Sequence, residues 1–556
     1  MKRHYPLVLT LGLVAANLTS LATAQYWESP FGFHPASITV GGYPRSPFWD
    51  AEQIGIRWHR PPLYAFWFIV QPDTADTTLF FGKYDTLYGQ VPQGIRILAN
   101  ITVLPGRYSL PDSNNWRIPG TYLPSDSAKY VRFVQAAVSR YAAFPNPVLY
   151  WQIDNEPSVL RRGEFPRFVR MTYAAIKQAR PDAQVLIGGA TGFPEDFISN
   201  FRPQYLPILE SLNGYGFDIM DFHWYGHAFG HYRQARIAYD TVRAALDRNG
   251  FQNIPIWITE MGSYSDTISW SPPYPRQSDT LQARDYFKRF IYPLSFGVKK
   301  IFPAFGLIEG FKQNDGYFDH TGLIYDGLGM GDRGFGVRKH GWYMYQRMTQ
   351  QLEGATWDSL RALPTGLDSV YAYRLLRQNV PLYIAWWDYF AKLYPEDSVV
   401  LTLGGISSAK VAVSPVIPYD TTGGQGRFRS DTLAASGGSV NVVLRRDPVI
   451  VQELPGTEVN SLGFPSFSIP YALQLKNRSN PFSRTTTISF DLPHSEPVAL
   501  RVYNLAGQTV ATLWEGYKEA GSHTLTWDAS GLSSGVYFFR LSCNNETVIQ
   551  KVILTR

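Results

Sequence analysis

Short apolar runs alternate with amphipathic stretches along residues 25–352. The runs have the length of buried strands, and the stretches between them place apolar residues on one face at helical spacing. This repeated strand–helix alternation predicts an α/β domain in which helices cover a parallel sheet. Strands are predicted at residues 95–98, 148–154, 184–188, 217–225, 254–259 and 300–305, and helices at 127–141, 164–178, 280–296 and 340–352, with a further helix ending at 249–250.

No glycine-rich phosphate loop follows any of these strands, which argues against a doubly wound nucleotide-binding sheet. We therefore predict a TIM (β/α)8 barrel over residues 25–352. In that fold the carboxyl ends of the parallel strands form the catalytic face, so polar residues at strand ends are the first candidates for chemistry.

The pattern changes after residue 352. Short strands at 371–376, 382–387, 399–403 and 440–444 follow one another without helices, which predicts a small β-sandwich side domain over residues 353–455. Residues 456–470 are rich in Gly, Ser and Pro and are expected to form a linker. Residues 471–556 again consist of strand and turn patterns, which predict a C-terminal Ig-like β-sandwich.

The N-terminus has the features of a secretory signal peptide over residues 1–24. Lys2 and Arg3 precede an apolar core at 7–16, and Ala22-Thr23-Ala24 provides the small residues of a cleavage site. The apolar core is too short to span a membrane, and no later segment is long enough. Cys543 is the single cysteine, so no internal disulfide is expected.

Composition narrows the classes of partner. Aromatic residues make up 15% of the 556 residues, which suits a protein that stacks on flat ligands. The net charge of +6 is mild for this length, and no dense run of Lys and Arg gathers it into a patch. Nucleic acid is therefore not expected as a partner. We expect the chain to be a monomer.

Two carboxylates follow predicted strands in a similar way. Glu156 comes after the apolar run at 148–154, Glu260 comes directly after the run at 254–259, and the two are 104 residues apart. The pleat is expected to place Ile256, Ile258 and Glu260 on one face. Two carboxyls facing each other across a barrel mouth are what glycosidic cleavage requires, one to donate a proton and one to attack. The alternative for Glu156 is that it caps the following helix.

Further candidates lie near these carboxylates. Asp221, His223 and Tyr225 share one strand face, from which Tyr225 can orient Glu260 and His223 can bond the acid or the sugar. Trp224 points the other way. Arg60 is expected to hold Glu260 ionised by proximity.

Other kinds of chemistry have weaker support. His223, His227 and His231 are four residues apart, as metal ligands on a helix would be, but they follow a strand among glycines, and no metal is predicted. Asp315 and Asp319 fit an ordinary turn better than a Ca²⁺ loop. A serine hydrolase would need a Gly-x-Ser-x-Gly elbow, which is lacking, and no cofactor is predicted.

Residues 30–350 resemble the large clan of retaining (β/α)8 glycoside hydrolases, clan A, and its xylosidase-like and cellulase-like families in particular. The motifs are Asn155-Glu156 after the fourth strand, His223-x-Tyr225 after the sixth, Glu260 after the seventh, and the second-strand Arg60. The resemblance implies that Glu156 is the general acid/base, that Glu260 is the nucleophile, and that Asn155 contacts the sugar 2-hydroxyl. Its substrates would be β-linked plant or algal polysaccharides or their oligosaccharides.

One feature departs from the clan. The clan often has a Trp after the eighth strand as a sugar platform, whereas residues 301–306 contain none, and Phe305 is the expected substitute. Loops at 102–124 and 263–277 are expected to shape the subsites, the second through Tyr264, Trp270 and Tyr274.

The C-terminal residues carry a second resemblance. Asn480-Pro481-Phe482, the segment 502–507, Trp527-Asp528 and the segment 534–537 are similar to the sorting domain of the type IX secretion system. The resemblance implies that the secretion machinery is a partner, and that the protein is exported through the periplasm and outer membrane, to the medium or the cell surface.

Two function classes follow from these observations. The first is a secreted retaining glycosidase. The second is a noncatalytic surface glycan-binding protein on the same fold. The presence of both glutamates favours the enzyme, since a binding protein has no need of them.

Overall fold

The computed structural model describes residues 29–73, 75–103, 122–157, 163–268, 274–313, 316–329, 332–388, 398–454, 474–477, 479–492, 496–518, 521–543 and 546–555. The predicted signal peptide, the predicted linker and Trp270 lie outside these residues. The chain divides into two compact units, Met1–Gly456 and Thr457–Arg556. The boundary predicted at 352/353 thus lies within one compact unit.

The first unit contains parallel strands that pair in two sheets. One sheet has the order β1-β2-β4-β5-β6, with β3 paired to β4, and the other has the order β7-β8-β9. Isolated parallel bridges connect the sheet edges, Phe31 with Ile301 and Leu186 with Ile219. The strands are β1 Gly32–Phe33, β2 Trp58–His59, β3 Ala65–Phe66, β4 Arg96–Thr102, β5 Tyr150–Ile153, β6 Gln184–Ile187, β7 Met220–Trp224, β8 Ile256–Met261 and β9 Val298–Pro303.

Helices follow most of these strands and pack their apolar faces against them. Asp126 accepts from the backbone N–H of Lys129 at the start of α4, and Ser278 does the same for Leu281 at the start of α8, as helix-capping residues do. The helices are α1 Trp49–Gln53, α2 Trp67–Val70, α3 Gly82–Gly89, α4 Ser127–Ala142, α5 Phe165–Ala179, α6 Phe197–Leu212, α7 His231–Arg248, α8 Asp279–Ser295 and α9 His340–Leu352, with 3₁₀ turns at Tyr317–His320 and Thr422–Gly424.

Helix α6 differs from the prediction, which has no helix between residues 188 and 217. Pro203 and Pro207 lie inside it, and each removes a backbone N–H from the helical ladder. The helix forms because Phe201, Tyr205 and Ile208 bury one continuous face against the core, and tertiary packing outweighs local propensity.

The parallel strands carry two kinds of buried side-chain layer. An apolar cluster is formed by residues from six segments: Trp58, Leu98, Leu186, Ile219, Trp257 and Phe302. Closer to the carboxyl ends of the strands, the buried side chains are polar: Arg60, Asn100, Gln152, Asp221 and Thr259. Burial of so many polar groups is costly unless each finds a partner, so the second layer is where function is expected.

Antiparallel strands complete the first unit. They form a six-stranded sheet, ordered β10-β11-β12-β17-β14-β15, and the pair β13-β16, with a shared apolar core. The four strands predicted at 371–376, 382–387, 399–403 and 440–444 all fall on strands of this part of the chain. The strands are β10 Ala355–Leu363, β11 Val370–Arg377, β12 Val380–Trp387, β13 Val399–Gly404, β14 Lys410–Pro415, β15 Asp431–Ala434, β16 Ser439–Leu444 and β17 Val449–Leu454.

The second unit consists of two antiparallel sheets around a core of its own. The sheets are β18-β19-β22 and β21-β20-β23-β24, and Cys543 is buried in the core. The strands are β18 Gln474–Asn477, β19 Thr485–Leu492, β20 Glu496–Tyr503, β21 Thr509–Lys518, β22 Gly521–Asp528, β23 Gly535–Cys543 and β24 Glu546–Leu554. Among the described residues of the chain, no helix has the length and apolar character needed to cross a membrane.

Candidate active site

Glu260 reaches the site through an irregularity in β8. Phe222 of β7 pairs with Ile258, but the next residue, His223, pairs with Glu260, so Thr259 is an extra residue in the ladder. Such a bulge lets two consecutive side chains leave on the same side. The expected shared face of Ile256, Ile258 and Glu260 is therefore wrong, because both isoleucines pack into the large core beneath the helices.

Glu156 lies just beyond β5 rather than on it. The backbone turns at Asp154, which has a left-handed φ of 60°, and Asn155 follows with its N–H bonded to the Asp154 carboxylate at 2.9 Å. Gly188 allows this loop to approach, since a Cβ there would lie 2.5 Å from the carbonyl oxygen of Asn155. The side chain of Glu156 remains 18% exposed, whereas that of Glu260 is 3% exposed.

Glu260 is held by a cation and a hydroxyl. Arg60 donates from Nη1 to Oε1 of Glu260 at 2.7 Å, and the hydroxyl of Tyr225 donates to Oε2. Burial by itself raises the pKa of Glu260, but the charges of His223 and Arg60 overcome it and lower that pKa below its usual range. The Glu260 carboxyl is thus ionised at neutral pH.

His223 lies between the carboxylates. Its Nδ1 is 2.7 Å from Oε1 of Glu156 and 3.4 Å from Oε2 of Glu260, and its Nε2 is 3.3 Å from Oδ2 of Asp221. Burial lowers the pKa of the imidazole, yet Glu260, Asp221 and Glu156 together raise it to about 10. His223 is therefore an imidazolium at neutral pH, with both ring nitrogens donating.

The two glutamates lie close to each other. One carboxylate oxygen of Glu156, one of Glu260 and a ring nitrogen of His223 all lie within 4.8 Å of one another. These three residues also have the donor types of a small cation site. The imidazolium of His223 is the charge that the described residues themselves place between the carboxylates.

Asn155 and Arg60 form one anchored pair. Arg60 donates from Nη2 to the amide oxygen of Asn155 at 2.6 Å, and its side chain is fully buried. Asn155 is thereby fixed beside the carboxylates, as the sequence motif predicts. The structure brings together at one end of the parallel strands all six predicted residues of the polar site: Arg60, Asn155, Glu156, His223, Tyr225 and Glu260.

Sequence reasoning missed His34, which follows β1. Its Nδ1 donates to the carbonyl oxygen of Arg60 at 2.8 Å, and its Nε2 is 3.8 Å from Oε1 of Glu260. Burial, reinforced by the nearby Arg60, lowers the pKa of His34 to about 3, so the ring is neutral and Nε2 is an acceptor. The available signal was a His two residues after Gly32 of β1. Because β1 has only 2 residues, it is too short to show the alternating pattern of a strand.

Aromatic rings form one wall of the site. Phe305 lies parallel to Phe311 with centroids 4.5 Å apart, and beside Tyr225 at 6.4 Å. Phe311 is 44% exposed, so the wall extends from the carboxylates to solvent. From the predicted loop, Tyr264 is buried and Tyr274 bonds Glu195, while Trp270 lies outside the described residues.

The three histidines of the alternative metal site do not come together in the structure. His223 belongs to β7 and contacts the carboxylates, whereas His231 begins α7 and stacks on His227 with ring centroids 3.5 Å apart. Trp224 faces the helices, as expected, and its indole N–H bonds the carbonyl of His231.

Solved structures identify the class of fold. A family 39 glycoside hydrolase from the gut symbiont Bacteroides cellulosilyticus WH2 is similar, with a TM-score of 0.52 and 14% identity, over 73% of this chain and 77% of that one. A glucosidase from Croceicoccus marinus has a TM-score of 0.54 and 17% identity, over 77% of this chain and 96% of that one. The chain thus has a glycoside hydrolase-like fold. No curated protein matches its sequence.

The C-terminal unit has a more specific match. Residues 480–555 match the family model of the secretion system C-terminal sorting domain. The predicted type IX sorting domain is thereby confirmed, and the protein is exported, to the medium or the cell surface.

Proposed function

We propose that this protein is a secreted retaining glycoside hydrolase that cleaves β-glycosidic bonds of plant or algal polysaccharides or their oligosaccharides. The observation that carries the proposal is the pair of carboxyls, Glu156 and Glu260, with oxygens within 4.8 Å in contrasting surroundings. Retaining enzymes separate their carboxyls by about 5–5.5 Å, and inverting enzymes by about 6.5–9.5 Å. In this proposal residues 25–352 form a closed (β/α)8 barrel, 353–455 its side sandwich, and 471–556 an Ig-like sorting domain behind a linker.

Glu260 acts as the nucleophile. Its ionised carboxylate attacks the anomeric carbon while Glu156 protonates the departing glycosidic oxygen, giving a covalent glycosyl-enzyme. Glu156 then removes a proton from water, and the water oxygen displaces Glu260 with net retention. Tyr225 and Arg60 orient Glu260 and keep it ionised until it reacts.

His223 serves the acid half of the reaction. Its imidazolium donates to Glu156 at 2.7 Å, so the His223–Glu156 pair retains the proton that the leaving oxygen requires. Arg60 fixes the amide oxygen of Asn155, which orients the amide N–H₂ for the sugar 2-hydroxyl. His34 offers Nε2 as an acceptor for another hydroxyl, and Phe305 and Trp270 supply the stacking surfaces.

Removal of either carboxyl tests this mechanism. We expect Glu260→Gln to lower kcat by at least about 10³-fold on every β-glycoside that the wild type cleaves, since nucleophilic residues act as a unit with their partners. Glu210→Gln, on the exposed face of α6, is the matched control and should retain full activity. Proton NMR of the first product should show the β configuration.

Each failure has a distinct meaning. Full activity of Glu260→Gln would exclude this nucleophile, and an initial α product would exclude retention. A wild type that binds glycans but hydrolyses none of a panel of β-glucan, β-xylan and β-mannan substrates would indicate the noncatalytic binding protein instead.

A further inference from the structure

Gln152 occupies the centre of the buried polar layer, and both ends of its amide are engaged. Its oxygen accepts from Nε of Arg60 at 2.8 Å and from Nδ2 of Asn100 at 3.0 Å. Its nitrogen donates to Oδ2 of Asp221 at 2.7 Å. The side chain is fully buried, so no solvent competes for these bonds.

We propose that Gln152 is the positioning residue that couples the surroundings of the nucleophile Glu260 to those of the acid Glu156. On one side it holds Arg60, whose other nitrogens bind Glu260 and Asn155. On the other side it holds Asp221, which lies against the Nε2 side of His223 while Nδ1 contacts Glu156. The role of this coupling in hydrolysis rests on the proposed function.

Asp221 shows why this link matters. Its carboxylate accepts from Gln152, from the backbone N–H of Thr259 at 2.9 Å and from the Thr259 hydroxyl at 2.6 Å. These neutral donors stabilise a buried anion, and that anion in turn helps keep His223 protonated. Gln152 is thus the member of the described polar layer that hydrogen-bonds both the cation Arg60 and the anion Asp221.

An amide is suited to this position because it accepts and donates at the same time. An ionised carboxylate can only accept, so the Gln152→Glu substitution would bring a second anion to the 2.7 Å position beside Asp221. A Met of similar length would neither accept from Arg60 nor donate to Asp221. The two substitutions therefore separate the effect of added charge from the effect of lost bonds.

Gln152→Glu is expected to shift the acid limb of the kcat/KM pH profile to higher pH by about one unit, because an added anion disfavours ionisation of Glu260. The titratable and charged groups that face Glu260 and His223 are the same in the wild type and in Gln152→Glu: His34, Arg60, Tyr64, Glu156, Asp221 and Tyr225. Gln152→Met should lower kcat by roughly 10- to 100-fold with little change in KM, since geometry and not ground-state binding is lost.

A matched control is available in Gln346→Met. Gln346 is also a buried glutamine, but its amide donates to the backbone carbonyl of Gln53 at 2.9 Å, outside the polar layer. The control should leave the pH profile and kcat unchanged even if its melting temperature falls. A purely structural role for Gln152 would give the same result as this control.

A second measurement needs no substrate. In ¹⁵N NMR titrations, Gln152→Met should lower the pKa of the His223 imidazole by at least about one unit, because Asp221 loses the donor that holds its carboxylate against Nε2 of His223. Unchanged His223 titration in Gln152→Met, together with an unchanged pH profile in Gln152→Glu, would overturn the coupling. Should the wild type hydrolyse no glycoside, the proposed function fails, and the titration alone decides the inference.

Discussion

His223 is a buried cation whose charge depends on its neighbours. Transfer of a lone imidazolium from water to the interior is unfavourable, and burial alone would keep the ring neutral. Glu156, Glu260 and Asp221 reverse that balance, whereas His34, beside the Arg60 guanidinium, stays neutral. Two histidines at the same end of the strands thus hold opposite protonation states: the His223 imidazolium donates to Glu156, whereas the neutral His34 presents an acceptor at Nε2.

The charge of His223 links stability to pH. Its pKa is about 10 in the folded protein and near 6.5 when unfolded, so its stabilising contribution is complete below pH 6.5 and is lost as pH rises through 10. We expect the melting temperature of the first unit to fall between pH 6.5 and 10, and to fall less steeply in His223→Gln. Differential scanning calorimetry at several pH values measures both slopes. Equal slopes in the two proteins would show that His223 is neutral in the folded state.

The segment just after β6 passes so close to the site that it has no room for a side chain at Gly189. A Cβ on Gly189 would overlap Nε2 of His223 and lie 2.7 Å from Oδ2 of Asp221. These atoms belong to β7, and an isolated parallel bridge between Ala190 and Phe222 joins β7 to the segment that follows β6. The segment after β6 therefore needs a residue without a side chain where it passes the imidazolium.

Gly189→Ala should displace His223 from Glu156. We expect kcat/KM to fall by about 10²-fold, since a shift of about 1 Å in a catalytic group has effects of that size. Gly82→Ala is the matched control, because a Cβ at Gly82 meets no atom within 4 Å. Steady-state kinetics of both variants on one substrate provide the comparison, and an unimpaired Gly189→Ala would mean that His223 has room to move without cost.

The elements themselves were largely predictable, because periodicity reports burial. The helix at residues 340–352 was predicted with the bounds that the structure has. The local orientation of Glu260 was not, because a strict pleat cannot anticipate the extra residue at Thr259. Gln152 was overlooked within the strand that precedes Glu156. A polar residue in an otherwise apolar strand was its signal, but a sequence does not show which partners satisfy it.

At the scale of the whole molecule, the first unit joins helices and antiparallel sheet in one core. Trp386 of β12 and Leu360 of β10 belong to the same apolar cluster as residues of α7 and α8. A buried ion pair reinforces the junction, with Lys288 of α8 donating to Asp388 at 2.6 Å. The second unit has a core of its own, and the site residues all belong to the first.

Two truncations follow from this division. A chain that ends at residue 456 should retain kcat/KM within about twofold, because it retains every site residue and the shared core, but it should no longer be sorted out of the cell envelope.

A chain that ends at residue 352 should be insoluble. It loses the apolar partners of α7 and α8, and it leaves the buried Lys288 without Asp388; removing one partner of a buried pair by itself costs about 3–5 kcal/mol. Expression, melting curves and hydrolysis assays compare the two with the full chain. A soluble, active chain ending at 352 would show that the side sandwich is dispensable, and an inactive chain ending at 456 would show that the sorting unit contributes to the active enzyme.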